Sequence, residues 1–133
     1  MATDSSLGQW ISRLSTMAGL FVVFCLFYLG SQPVAVGIFQ HPYDKLAHFA
    51  VFSLITLLLG LGFFKRRKWL LFFVVSSIAF MDEFTQSWLP GRHSSSVDFM
   101  MDLLAVIVTV ILLKIFVSRK ENTYKRTSGN GRC

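Results

Sequence analysis

Four long apolar segments constrain this chain more than any other feature of its sequence. They cover about residues 14–30, 46–64, 69–88 and 97–117. Each is close to the ~20 residues that an α-helix needs to cross ~30 Å of hydrocarbon. None shows the period-2 alternation of a transmembrane β-barrel, the other structure that satisfies its backbone in lipid. The pattern therefore predicts an all-α membrane protein, a bundle of four transmembrane helices.

The amino-acid composition also indicates a protein that is surrounded by lipid. Of the 133 residues, 53% are hydrophobic and 14 are phenylalanine. A soluble domain of this size would need more polar surface than these residues can supply. The predicted organisation is a short N-terminal segment at 1–13, a membrane domain at 14–117 and a disordered basic tail at 118–133. The first apolar segment can also be interpreted as a cleaved signal peptide, because its apolar core is short.

Basic residues are distributed unevenly between the two ends of the predicted bundle. All Lys and Arg residues except Lys45 and Arg92 fall at the end that holds both termini and the loop at 65–68. Since short loops rich in Lys and Arg stay in the cytoplasm, both termini are predicted to be cytoplasmic. This distribution explains the net charge of +6, so no nucleic acid is predicted as a partner. We expect the basic tail to be attracted to anionic membrane lipids.

Five of the seven acidic residues and all three histidines gather at the other, outer end of the predicted bundle. Three i,i+4 pairs place polar side chains on single helix faces there. The pairs are Asp44 with His48, Asp82 with Gln86, and Asp98 with Asp102. In a four-helix bundle such faces can converge, so we predict an outward-facing polar pocket over which Arg92 closes.

Asp82 and Glu83 are the least easily explained of these residues. They lie near the C-terminal end of the third helix, where the macrodipole disfavours negative charge, so they cannot be helix caps. With Trp88 at the membrane interface, Asp82 lies about 9 Å below it at ~1.5 Å per residue. Asp44 and Asp98, in contrast, stand at helix starts and can be simple N-caps.

The candidate site contains nine residues with two kinds of role. The candidate acid and base groups are His48, Asp82 and Glu83. The candidate substrate-binding residues are Asp44, Lys45, Gln86, Arg92, Asp98 and Asp102. Imidazole and carboxylate also bind zinc or manganese, but no HExxH spacing is present, and neither a metal site nor a cofactor is predicted. A buried histidine bonded to a carboxylate is the structural alternative for His48.

Three sequence blocks resemble the VanZ-like family of small bacterial membrane proteins. They are "DKLAHF" at 44–49, "DEFTQ" at 82–86 and "PGRHSSSVDFMMD" at 90–102, within a resemblance covering about Tyr43 to Phe116. The family's recurring polar positions correspond to Asp44, Lys45, His48, Asp82, Glu83, Gln86, Arg92 and Asp98. Asp102 stands where the family usually has Asn, and "AVIVTV" at 105–110 replaces a Gly-containing stretch, so the fourth helix is expected to pack less closely.

The resemblance implies a multi-pass protein of the bacterial inner membrane with a role in the cell envelope. The family's name-giving member is associated with low-level resistance to the glycopeptide teicoplanin. Three classes of function stay open. They are an enzyme acting on a lipid-linked or anionic envelope substrate, a non-enzymatic assembly or binding protein with a structural polar network, and a proton or ion pathway. The last is the weakest, because the inner halves of the helices hold few polar residues.

Overall fold

The computed structural model describes residues 2–32, 43–63, 67–88 and 96–129, and this part of the chain is helical apart from short turns. Helix α1 spans Ala2–Gly30, α2 spans Tyr43–Leu61, α3 spans Lys68–Ser87 and α4 spans Ser96–Gly129. The prediction of an all-α fold is confirmed.

Three of these helices are long and apolar enough to cross a membrane. The candidate spans within the described residues are Ser6–Gly30, Lys68–Ser87 and Ser96–Arg119. The apolar part of α2, Lys45–Leu61, is shorter than the ~20 residues of a full span. A bundle of four transmembrane helices therefore stays a prediction.

Two helices extend beyond the predicted apolar segments. Helix α1 begins at Ala2 rather than near residue 14, and α4 continues to Gly129, through most of the region predicted as a disordered tail from 118. Hydropathy marks only the part of a helix suited to lipid. Arg, Lys and Glu, which are frequent after Val117, are good helix formers and carry α4 onward.

Helices α2, α3 and α4 form a common core, whereas α1 lies outside it and contacts mainly α2. Each core helix contributes one face, with buried apolar residues at i, i+3 and i+4 spacings. They are Phe52, Ile55, Leu59, Leu71, Val75, Ala79, Ala105, Val106, Val110 and Leu113. Ala105, Val106 and Val110 belong to the stretch that lacks glycine, so α4 packs into the core despite this departure from the family pattern.

A close approach joins α1 to the end of α2. The hydroxyl of Ser15 donates a 2.7 Å hydrogen bond to the carbonyl of Leu58. A Cβ atom at Gly62 would meet Thr16 Oγ1 and would lie 2.9 Å from the backbone nitrogen of Thr16 and 3.0 Å from the carbonyl of Ser12. Backbone atoms of a packed helix cannot move aside easily, so this contact requires glycine.

Replacing Gly62 with alanine is therefore expected to lower the free energy of unfolding by about 1–3 kcal/mol, as overpacking does elsewhere. Chemical unfolding of the purified protein in detergent measures the change. Gly8→Ala is the matched control, because nothing lies within 4 Å of a Cβ there. We expect Gly8→Ala to be neutral or slightly stabilising. Equal stability of the two variants would contradict the close approach.

The two ends of the three-helix core differ in chemistry. Gly60, near the end of α2, lies beside Lys68 at the start of α3, and Lys68 Nζ donates a 2.6 Å hydrogen bond to the Gly60 carbonyl. We call this end, which also carries exposed Arg67, Lys114 and Arg119, the basic end. The start of α2, the end of α3 and the start of α4 meet at the opposite end, which we call the polar end.

Candidate functional site

The buried face of each core helix changes from apolar to polar at the polar end. On α3 the face that carries Val75 and Ala79 continues directly to Asp82 and Gln86. The corresponding buried polar residues are His48 on α2, and Asp98 and Asp102 on α4. The periodicity that builds the apolar core thus also directs these side chains between the helices.

His48 and Asp102 join α2 to α4. Nδ1 of His48 lies 3.3 Å from Oδ1 of Asp102, and their side chains are 7% and 0% exposed. The imidazole ring also stacks on Phe52, with the ring centroids 6.5 Å apart. Contacts on two sides fix the orientation of the ring. Sequence spacing had paired His48 with Asp44, four residues earlier on the same helix, and had not identified the contact with α4.

Asp82 and Gln86 form a pair within α3. Nε2 of Gln86 donates a 2.6 Å hydrogen bond to Oδ2 of Asp82, and both residues are buried. The hydroxyl of Thr85 donates a 2.8 Å hydrogen bond to the backbone carbonyl of Asp82. A buried carboxylate at a helix C-terminal end is thus stabilised in part by an amide from the next turn.

Glu83 completes the centre of the site. One carboxylate oxygen of Glu83, one ring nitrogen of His48 and one carboxylate oxygen of Asp102 all lie within 4.8 Å of one another. Asp82 and Asp98 lie within electrostatic range of the Glu83 carboxylate. Among the described residues, no donor forms a hydrogen bond with Oε1 of Glu83 or Oδ1 of Asp98, although both atoms are buried. Negative charge is therefore concentrated at the polar end. We call His48, Glu83 and Asp102 the three-helix cluster.

The remaining predicted site residues are described only in part. Lys45 is half-buried and precedes His48 by three residues on α2, which places both on neighbouring parts of one helix face. Asp44 belongs to α2, but its side chain lies outside what the structure describes. Arg92 falls in the segment between α3 and α4 that is outside the described residues.

A groove of about 810 Å³ lies between α2 and α4, away from the three-helix cluster. Its lining is mostly apolar and includes Phe49, Leu57, Val108 and Phe116. None of the predicted site residues within the described part of the chain lines it. The three-helix cluster and this groove are therefore separate features of the bundle.

Long apolar helices that bury ionisable side chains between three of them are typical of an integral membrane protein. The chain matches the VanZ/LLP1 family over residues 5–117, so it belongs to the VanZ-like family. The matched region contains every predicted site residue, and the predicted resemblance is confirmed. No curated protein and no solved structure matches the chain.

Proposed function

We propose that the polar end of this VanZ-like protein binds the anionic headgroup of a lipid-linked cell-envelope precursor. The observation that carries the proposal is the convergence of His48, Glu83 and Asp102 from three helices to within 4.8 Å. Apolar side chains fill the rest of the same interface, so packing alone does not account for ionisable groups in this part of it. A binding site explains why this part of the interface contains ionisable groups and not apolar ones.

The energetic penalty of the buried carboxylates supports a functional role. An aspartate at the centre of a membrane helix costs about 2.5–3.5 kcal/mol on insertion scales. Asp82, Asp98 and Asp102 are all more than nine-tenths buried. They lie near helix ends, where each costs less, but together they still oppose folding. Ionisable groups of this kind within membrane helices typically mark substrate or ion sites.

The distribution of charge supports a site on the outer face of the bacterial inner membrane. Exposed Arg67, Lys114 and Arg119 lie at the basic end, and short basic segments favour the cytoplasmic side. Both termini would then be cytoplasmic, and the polar end would face outward. Envelope precursors carried on lipids are available at that face.

The surroundings of the site suit a ligand that carries its own apolar chain. Large apolar side chains near the polar end, such as Phe80, Phe84 and Met100, are exposed and face lipid in a membrane. A lipid-linked ligand can therefore approach laterally from the bilayer. Lys45 and Arg92 would bind its phosphate, because charge-assisted hydrogen bonds to phosphate are among the strongest in proteins.

Processing of the bound headgroup is the enzymatic form of this proposal. In a site without metal, His48, oriented by Asp102 and Phe52, would give a proton to the headgroup or take one from it, with Glu83 as the second acid or base group. Asp82, which accepts a hydrogen bond from Gln86, is the third candidate acid or base group of the same site. The link to glycopeptide resistance stays a prediction from the resemblance.

A non-enzymatic assembly protein with a structural polar network is the second candidate. The observation that favours it is the buried Asp82–Gln86 hydrogen bond, which stabilises α3 without involving a ligand. The two candidates differ in what neutral substitutions should do. A structural network loses folded protein when a member is neutralised, whereas a binding site loses its ligand first.

Binding of undecaprenyl phosphate to the purified protein in lipid nanodiscs tests the proposal. We expect Lys45→Ala and Arg92→Ala each to weaken binding about 10- to 100-fold, the effect of losing a hydrogen bond to a charged group. Lys114→Ala, which removes an exposed cation at the basic end, is the matched control and should bind as the wild type does. Equal binding by all four proteins would contradict a headgroup site at the polar end.

A further inference from the structure

Three potential metal-binding atoms from three helices lie together at the polar end. They are a ring nitrogen of His48, a carboxylate oxygen of Glu83 and a carboxylate oxygen of Asp102, all within 4.8 Å of one another. We propose that these three side chains bind one divalent metal ion of the Zn²⁺ or Mn²⁺ class. The inference deepens the proposed headgroup function and rests on it for its biological use, although metal binding can be measured without any lipid.

The spacing of the atoms suits a shared ion. Zinc lies about 2.0–2.2 Å from imidazole nitrogen and carboxylate oxygen, so two ligands of one tetrahedral ion are about 3.4 Å apart. The His48 nitrogen and the Asp102 oxygen are 3.3 Å apart. The half-buried Glu83 side chain has the rotatable bonds to close the remaining distance.

A second carboxylate on α4 gives independent support. Asp98 precedes Asp102 by one turn, is 7% exposed and lies within electrostatic range of Glu83. No donor among the described residues forms a hydrogen bond with its Oδ1 atom. A buried polar atom without a partner is costly, and a bound cation or one of its water ligands would remove that penalty. Asp98 is thus placed to support a metal bound by the cluster.

The donor set selects the class of metal. Calcium and magnesium prefer sites made of oxygen alone, and copper(I) prefers thiolates, whereas mixed imidazole and carboxylate donors suit zinc and manganese. Three protein ligands leave a coordination position open, as in catalytic zinc sites. A phosphate oxygen can occupy that position. The metal would also resolve a conflict of charge, because the carboxylates of the polar end would otherwise repel an anionic headgroup.

Titration of the metal-free, full-length protein with Mn²⁺, followed by electron paramagnetic resonance in the absence of added lipid, tests the inference. We expect one Mn²⁺ bound per chain and displacement by Zn²⁺. Glu83→Gln and Asp102→Asn should each weaken binding by tenfold or more. Asn122→Lys shifts the net charge by the same amount at an exposed position of α4 and should bind as the wild type does.

A pulsed measurement of nitrogen coupling to the bound Mn²⁺ identifies the histidine. We expect the coupling in the wild type and in His93→Gln, and its loss in His48→Gln. Absence of stoichiometric binding in the wild type, or wild-type affinity in both Glu83→Gln and Asp102→Asn, would overturn the inference. Because Glu83 is only half-buried, its variant tests the inference even where changes at buried Asp102 prevent folding.

The metal proposal and the headgroup proposal can be contradicted independently of each other. Undecaprenyl phosphate binding by a protein that takes up no metal would overturn the metal site and leave the headgroup proposal standing. Stoichiometric, cluster-dependent Mn²⁺ binding by a protein with no affinity for the lipid would support the metal site and overturn the headgroup proposal.

Discussion

Glu83→Gln should remove the function of the polar end and leave the fold intact. Glutamine keeps the size of the side chain but removes its charge, so binding of an anionic headgroup through a metal should fall on the order of 100-fold. Stability should be unchanged or higher, because burial of the charge, together with repulsion from Asp82, Asp98 and Asp102, opposes the attraction between Glu83 and His48. Neutralising one carboxylate of such a group relieves repulsion. A residue kept at some cost to stability is typical of a functional site.

Two measurements on the same preparation separate the outcomes for Glu83→Gln. Thermal unfolding in detergent reports the fold, and retention of undecaprenyl phosphate reports the function. Ser87→Ala, an exposed position one turn further along α3, is the control and should change neither. Loss of folded protein in Glu83→Gln would instead favour the structural network, and full retention of lipid by a folded variant would contradict binding of the headgroup through a metal.

Gln86→Leu should have the opposite effect and destabilise the fold. Leucine fills a similar volume, so the change mainly removes the 2.6 Å hydrogen bond that Gln86 donates to Asp82. Asp82 is 1% exposed, and water cannot readily replace that donor. A buried polar group that loses a hydrogen-bond donor costs about 1–3 kcal/mol, and more when the group is charged. We therefore expect the free energy of unfolding to fall by about 1–3 kcal/mol.

Thr85→Val is the control for Gln86→Leu. It removes the 2.8 Å hydrogen bond from the neighbouring hydroxyl to the Asp82 backbone carbonyl but leaves the carboxylate contact in place. Chemical unfolding in detergent should show a loss of no more than about 1 kcal/mol for Thr85→Val. Equal losses in the two variants would mean that the buried amide–carboxylate contact does not stabilise α3.

The sequence was sufficient to predict an all-helical fold and the kind of residue at the polar end. Segments near 20 residues are long enough for membrane helices, and that length does not depend on tertiary contacts. Asp82 and Gln86 were predicted to share a face because i,i+4 spacing fixes that relationship within one helix. The buried aspartates of α4 were found in the same way.

Contacts between different helices could not be predicted from the sequence. Helical spacing paired His48 with Asp44, but its contact with Asp102 depends on how α2 and α4 rotate against each other, which packing decides. Lys68 was counted as one of four loop cations, yet the structure buries it against the Gly60 carbonyl. Hydropathy also missed the polar ends of α1 and α4, because helix propensity continues where lipid contact stops.

The most direct test of the proposed site compares two lipids that differ only in their headgroup. Undecaprenyl phosphate and the corresponding alcohol, undecaprenol, carry the same apolar chain, and their affinities for the wild-type protein in nanodiscs can be measured side by side. We expect the phosphate to bind at least tenfold more tightly, because the polar end recognises the anionic group. Equal affinity for the two lipids would show that only the chain is bound and would contradict a headgroup site.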